Sequence, residues 1–287
     1  MEADFGRVAI VGLGLMGGSM AAAISEKAPR CHVIGIARRA STVARARMLR
    51  FVDEGTQDLA NGVRDADIVV LATPVRDILD KIANIGPLLK PGCLLMDVGS
   101  TKKTICEAMS RVPEHVQVIG GHPMCGKESS GLTMAEPDLY QDRVYVLAPL
   151  PRTSEEALDK AIRFVRSLGA RPLILDPERH DRMVAAISHL PYMLSVTLVS
   201  GAEDFVGYDE LTWQLAAGGF RDTSRVAGGS LPMMLDILAT NREPILEALD
   251  HAQNSLSRLI QLLQGNDMQG MEEELSKART RRREVFP

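Results

Sequence analysis

Residues 7–20 read RVAIVGLGLMGGSM, and the fold follows from how this stretch is parsed. An apolar strand over 8–11 runs into Gly12, Gly14 and Gly17, the GxGxxG spacing of a dinucleotide-binding turn, and then into a helix expected over 15–26. Gly12 permits the tight turn, Gly14 leaves the backbone open to a pyrophosphate, and Gly17 lets the helix lie close on the strand. Leu15 and Met16 stand at the helix start, where unpaired N–H groups and the helix dipole face the phosphates. Glycines in a structural turn of another α/β protein would carry the same letters. The strand before them, the helix after them and a second strand over 32–37 favour a Rossmann-type dinucleotide-binding domain.

The chain has 287 residues, 45% hydrophobic and 24% charged, with a formal net charge of -4. Two domains with their own cores fit that length, and the acidic balance argues against nucleic acid or an anionic membrane as partner. Arg279, Arg281, Arg282 and Arg283 read as a solvated last helical turn complementing the dipole. Cys31, Cys93, Cys106 and Cys125 show no CxxC or Cys/His spacing, so no metal site is expected. With no signal peptide visible, a reducing, cytoplasmic setting follows. Residues 183–202 lack Asp, Glu, Lys and Arg over a bilayer's length, but Ser188, His189, Pro191, Tyr192, Ser195, Thr197 and Ser200 make them too polar for lipid. A helix buried within the protein is expected there.

At the end of the second strand a carboxylate would mark an NAD ribose site, and an arginine would accommodate the extra phosphate of NADP. The sequence there is Ala37, Arg38, Arg39, Ala40, Ser41, Thr42, so NADP is the expected cofactor, with NAD possible. The alternative is that both arginines are solvated and Ser41 merely caps the next helix.

A helix is expected over 43–53, then a buried strand through IVVLATP that leaves Thr73 and Pro74 at the carboxyl edge, where open α/β sheets bind ligands. Further helices are expected over 75–89, 101–110 and 154–167, and strands over 94–98, 116–119, 144–148 and 173–175, for seven or eight strands in all. Ser100 reaches the same edge and could simply cap the helix after it. The segment GGHPMCGKESSG, 120–131, reads as a loop around His122, with Cys125 a small loop residue rather than a nucleophile. After Asp176 the strand–helix alternation stops. Residues 178–275 read as helices broken at Pro191, Gly207, Gly218–Gly219, Gly228–Gly229 and Gly265, giving domains at 1–176 and 177–287. Ile245, Leu246, Leu249, Leu256, Leu259, Ile260 and Leu263 form a stripe suited to a core or to a second copy of the chain.

The motifs GLGLMGGS, LATP, DVGSTK, GGHPM, SHLP and GFRDTSR occur in order along essentially the whole chain. Together they resemble the prephenate and arogenate dehydrogenases of tyrosine biosynthesis. The resemblance implies an all-helical dimerisation domain after the Rossmann-type domain, a homodimer, and no fused mutase or regulatory domain. It implies oxidative decarboxylation of a cyclohexadienyl acid with hydride transfer to NAD(P). His122 matches the family's histidine that hydrogen-bonds the substrate hydroxyl, and Ser100 the serine beside it. Arg225 matches the substrate arginine, which would clamp a carboxylate. Ser188 matches a position near the cofactor and His189 one near the substrate. Glu128 matches an acid at the mouth of the site, Asp222 one that holds the loop of Arg225, and Tyr192 and Met234 lie at variable positions near the substrate side chain.

For the substrate, Leu132 stands where plant arogenate enzymes carry an acid, which tilts toward prephenate. ARRAST and GFRDTSR look most like NADP-using cyanobacterial-type enzymes that favour arogenate. Prephenate is the expected substrate and arogenate the alternative. A β-hydroxyacid dehydrogenase would need a lysine base on the helix at 183–202, which has none. A redox-sensing module would keep the glycines but have no use for His122 with Arg225.

Overall fold

The computed structural model describes residues 4–127, 129–207, 209 and 211–286. Strands β1 (Arg7–Val11), β2 (His32–Ile36), β3 (Glu54–Thr56), β4 (Ile68–Leu71), β5 (Leu94–Asp97), β6 (Gln117–Pro123), β7 (Val144–Pro149) and β8 (Arg171–Ile174) form one eight-stranded sheet, ordered β3-β2-β1-β4-β5-β6-β7-β8. All pairs are parallel except β6 with β7. The order reverses between β1 and β4, and the carboxyl ends of those strands deliver the glycine turn and Thr73–Pro74 to one crevice. The strands read as continuous apolar runs because both faces are covered. Val8 and Ile10 belong to one core, Ala9 and Val11 to the other.

Helices α1 (Leu15–Lys27), α2 (Ala40–Met48), α3 (Leu59–Val63), α4 (Val75–Ile85), α5 (Lys103–Met109) and α6 (Glu155–Ser167) cover the sheet. Two expectations change here. Helix α2 stops at Met48, and the chain then forms β3, whose polar Glu-Gly-Thr sequence gives no apolar signal and suits a short edge strand pairing only with β2. Gly120 to Pro123, expected in a loop, are strand: Gly120 pairs with Ala148 and His122 with Val146. Two glycines and a terminal proline are tolerated because β7 supplies the pairing.

Next come α7 (Pro177–Val184), a π-helical turn (Ala185–His189) and α8 (Leu190–Val206), which run on without interruption. Pro191 therefore does not break the helix. Its ring would clash with the carbonyl four residues back, and that residue, Ile187, lies in the wider π turn. Nor is this helix buried all round. Met183, Ile187, Leu194 and Phe205 are exposed, while His180, Asp181, Val184, Ala185 and His189 are buried. It is long and apolar enough to cross a membrane by composition, but its buried His180 and Asp181 are hydrogen-bonded to the sheet-bearing part of the protein. Gly207, at φ +60°, ends α8. Short helices α9 (Leu211–Gln214) and α10 (Gly218–Ser224), a 3-10 turn (Arg225–Gly228) and α11 (Leu231–Thr240) follow.

The chain divides into two compact units, Met1–Arg242 and Glu243–Pro287. The last strand ends at Ile174 and the first unit runs on past it, with Thr101 Oγ1 meeting Thr240 Oγ1 at 2.8 Å and Arg76 Nε meeting Asp236 at 3.3 Å. From Glu243 onward the chain continues α12 (Arg242–Gln264) into α13 (Met268–Val285), whose N-terminus is capped by Asp267. Leu246, Leu256, Ile260 and Leu263 of the expected stripe are exposed, and Arg282 and Arg283 fall in the last turn.

Candidate active site

The cofactor cradle begins with Gly12 at φ +101°, a backbone state L residues rarely adopt. A Cβ on Gly17 would overlap the Gly12 carbonyl oxygen, so only glycine brings α1 this close to the turn. Above Gly14, the N-cap of α1, a Cβ would meet nothing within 4 Å. Helix α1 also starts with no side-chain cap and no acid in its first turn. Open space above uncapped N–H groups is what a pyrophosphate requires, so these residues fit the cofactor. Thr73 adjoins the turn, its Cγ2 lying 2.6 Å from where a Gly12 Cβ would sit, and Pro74 occupies the N-cap position of α4 without a side-chain cap bond.

Past β2, Arg38 and Arg39 are exposed and no carboxylate stands beside them in sequence. Arg39 is the N-cap of α2, with Ser41 and Thr42 in its first turn, so Ser41 is not the cap. Arg39, Ser41, Thr42 and Arg45 line an open cavity of about 660 Å³ with Gly131, Leu132 and Thr133.

His122 is mounted on a buried ion pair. Asp97 ends β5 and pairs with Lys102, both without solvent exposure. Asp97 accepts the N–H of Gly99 at 2.7 Å and of Gly121 at 2.9 Å, while Lys102 Nζ donates to the Gly121 carbonyl at 2.6 Å. The residue before His122 is thus held by its N–H and its carbonyl together.

On the other side, His122 Nδ1 lies 2.8 Å from His180 Nε2, with the rings edge-on at 76°. His180 Nδ1 lies 2.7 Å from Asp181 Oδ1. The Asp181 carboxylate also accepts the N–H groups of Lys102 at 2.7 Å and Lys103 at 2.9 Å, and so caps α5. Asn241 Nδ2 donates to the Asp181 carbonyl at 2.8 Å and to His189 Nδ1 at 3.1 Å. Burial, with His180, Lys102 and His189 nearby, holds His122 well below the ordinary histidine value of 6.5. Burial likewise pushes His189 down to about 4, against the pull of Asp181.

Ser100 sits in the loop between β5 and α5 and is not its cap, since Lys102 holds the N-cap position and Asp181 does the capping. The Nδ1 contact of His122 belongs to His180 rather than to Ser100. Ser188 is exposed in the π turn. Arg225 opens a 3-10 turn packed against α8, and a Cβ on the following Gly229 would lie 3.9 Å from the Tyr192 ring. Asp222 is ion-paired with Arg221 at 3.0 Å. Glu128 lies outside the described residues. Leu132 is buried, with Cδ1 2.6 Å from where a Gly18 Cβ would be, so it packs on α1. Met234 is buried as well. Burial pushes the Cys125 thiol up to about 11, which leaves it a poor nucleophile.

Sequence reading missed His180, Asp181 and Asn241, and gave Asp97 and Lys102 no task. A signal existed: His180, Asp181, Val184 and Ala185 fall on one helical face at three- and four-residue spacings, an ionisable pair on the side that turns inward.

Comparison with known proteins gives a consistent result. The family model described as "Prephenate dehydrogenase, nucleotide-binding domain" matches residues 20–174, and "Prephenate dehydrogenase, dimerization domain" matches 176–277. A prephenate dehydrogenase of Bacillus subtilis (strain 168) is 31% identical over 92% of this chain and 72% of its own length. The crystal structure of Synechocystis arogenate dehydrogenase aligns with a TM-score of 0.86 at 32% identity, covering 98% of this chain and 100% of that one. The prephenate dehydrogenase of A. aeolicus, in complex with hydroxyphenyl propionate and NAD+, aligns with a TM-score of 0.91 at 26% identity, covering 99% and 98%.

Proposed function

The chain belongs to the prephenate dehydrogenase family, and from that premise we propose that it oxidatively decarboxylates prephenate to 4-hydroxyphenylpyruvate, with arogenate as the alternative substrate. The observation that carries this reading is His122, held neutral with Nδ1 on His180 and therefore able to offer Nε2 as a base. A bound nicotinamide cofactor supplies the hydride acceptor. His122 Nε2 takes the proton of the C4 hydroxyl as the C4–H pair leaves as hydride. The C1–carboxylate bond then breaks, its electron pair enters the ring as CO2 departs, and the phenol oxygen takes the proton back. No net proton is consumed. Ser100 steadies the hydroxyl, Arg225 clamps a carboxylate and Tyr192 borders the substrate side chain, while Glu128 is assigned to the mouth of the site by its match to the family's acid there. Ser188 serves the cofactor side. His189 stands behind the substrate, its Nδ1 committed to Asn241.

Residues 1–176 bind the cofactor and 177–287 the substrate and a second copy of the chain, giving a homodimer in a reducing, cytoplasmic setting. The matched dimerization model and the exposed leucines of α12 support the dimer. Assay of prephenate and arogenate, each with NAD and NADP, tests the function; failure to reduce either cofactor with either acid overturns it.

NADP is the proposed cofactor, supported by Arg38 and Arg39 at the end of β2. Replacing both by Ala should weaken NADP about 10- to 100-fold and leave NAD nearly unchanged, since charge-assisted bonds contribute roughly 1.5–3 kcal/mol. Equal NADP affinity by fluorescence titration would refute the preference. For Arg225→Ala, KM for the acid should rise about 10- to 100-fold with a smaller change in kcat. An unchanged KM removes the clamp.

A further inference from the structure

The reaction as derived names His180 only as the neighbour of His122 Nδ1 and gives Asp181 no part, although both are buried and His180 touches the base directly. We infer that His180, backed by Asp181, is a positioning residue that locks His122 in its Nδ1–H tautomer and thereby makes Nε2 the basic nitrogen. The inference rests on the function proposed above for its kinetic consequence, but not for its structural content.

The argument is a count of donors and acceptors. The Asp181 carboxylate only accepts, and it already takes two backbone N–H groups from the start of α5. The hydrogen bond at 2.7 Å therefore places a proton on His180 Nδ1. In neutral His180 the other nitrogen, Nε2, is then an acceptor. His122 lies 2.8 Å from it through Nδ1 and must donate there. The His122 lone pair is left on Nε2, the nitrogen turned away from His180.

The competing assignment is a doubly protonated His180 that donates to His122. It would leave His122 with a proton on Nε2 and no base to offer. That state adds a cation to a buried region which already holds the Lys102 ammonium, and the charge of Asp181 is already engaged by the α5 N-terminus. His189, the third histidine of this cluster, is turned to Asn241 through its Nδ1. When His122 takes a proton in turnover, its Nδ1–H still points at His180, and the Asp181 carboxylate behind it stabilises the resulting imidazolium. A buried carboxylate plays the same part behind the histidine of a serine protease triad.

Two variants of the full-length enzyme decide it. His180→Leu removes the acceptor, and a free neutral imidazole can then carry its proton on either nitrogen. His180→Gln keeps an acceptor oxygen near the same place. For His180→Leu, kcat should fall at least about 100-fold, with KM and cofactor affinity within about threefold. For His180→Gln, kcat should stay within about tenfold of the parent. Two-bond 1H–15N spectra of the imidazoles should show His122 protonated on Nδ1 in the parent and in His180→Gln, and not uniformly so in His180→Leu. A parent spectrum with the His122 proton on Nε2 overturns the inference, as does full kcat in His180→Leu. So does His180→Gln as impaired as His180→Leu with the Nδ1–H tautomer intact, since that would leave His180 a merely structural role. Should the parent oxidise neither acid, the function falls, while the spectra still decide the tautomer.

Discussion

His122→Asn should lower kcat by about 10²- to 10⁴-fold while KM for the ring acid changes by no more than about threefold. Asparagine has no basic nitrogen to receive the hydroxyl proton, yet its amide can still donate toward His180, so the strand and its neighbours stay in place. Substrate binding is assigned elsewhere, to Arg225, which the substitution does not touch. The pH profile supplies an independent check. The base works when unprotonated, and burial with Lys102, His180 and His189 nearby lowers its pKa well below 6.5. In the parent, kcat/KM should therefore hold level as pH falls through 6.5 and decline only below it. In His122→Asn that acid limb should vanish. A variant retaining near-full kcat, or a parent limb at or above the ordinary histidine value, removes His122 from the base role.

Why His122 was readable and its partners were not is a matter of sequence distance. Gly12, Gly14 and Gly17 act on one local turn, so their spacing carries the whole message, and the apolar runs of β1, β4 and β5 announce a sheet buried on both faces. His180 lies 58 residues from His122, and no periodicity links a strand end to the buried face of a later helix. Strand β3 was invisible because three polar residues at a sheet edge need no apolar pattern. Reading 120–123 as a loop followed from glycine and proline content alone, whereas pairing with β7 decides it. Serine before a helix could simply be its cap, but Lys102 holds the N-cap position of α5 and the Asp181 carboxylate accepts its N–H, so Ser100 does no capping there. Leu132 has a packing role that its motif position does not announce, since its side chain lies against Gly18 of α1.

The second large effect is on stability. Lys102→Met should destabilise the fold by about 3–5 kcal/mol, because removing one member of a buried pair leaves the other charge uncompensated. That is a large fraction of the roughly 5–15 kcal/mol that holds a domain folded. Asp97 would keep its hydrogen bonds from Gly99 and Gly121 but lose its ammonium, and the Gly121 carbonyl would lose its donor. Burial already raises the Asp97 carboxyl above 3.8, with Lys102 the chief opposing influence, so without Lys102 it rises further. A raised folded-state value means that the penalty is absent below the unfolded value of 3.8 and grows as pH rises through the folded one. The gap in stability between variant and parent, read from urea midpoints, should therefore narrow on acidification toward pH 4. Adding Asp97→Asn should restore about 1–2 kcal/mol by discharging the orphaned group, yet kcat should remain depressed, since Gly121 no longer has the anchor that aims His122 and an ångström of misplacement costs about 100-fold. Stability recovered without activity would identify the pair as the mount of the base; Lys102→Met as stable as the parent across pH would mean that Asp97 and Lys102 carry no charge for each other to balance.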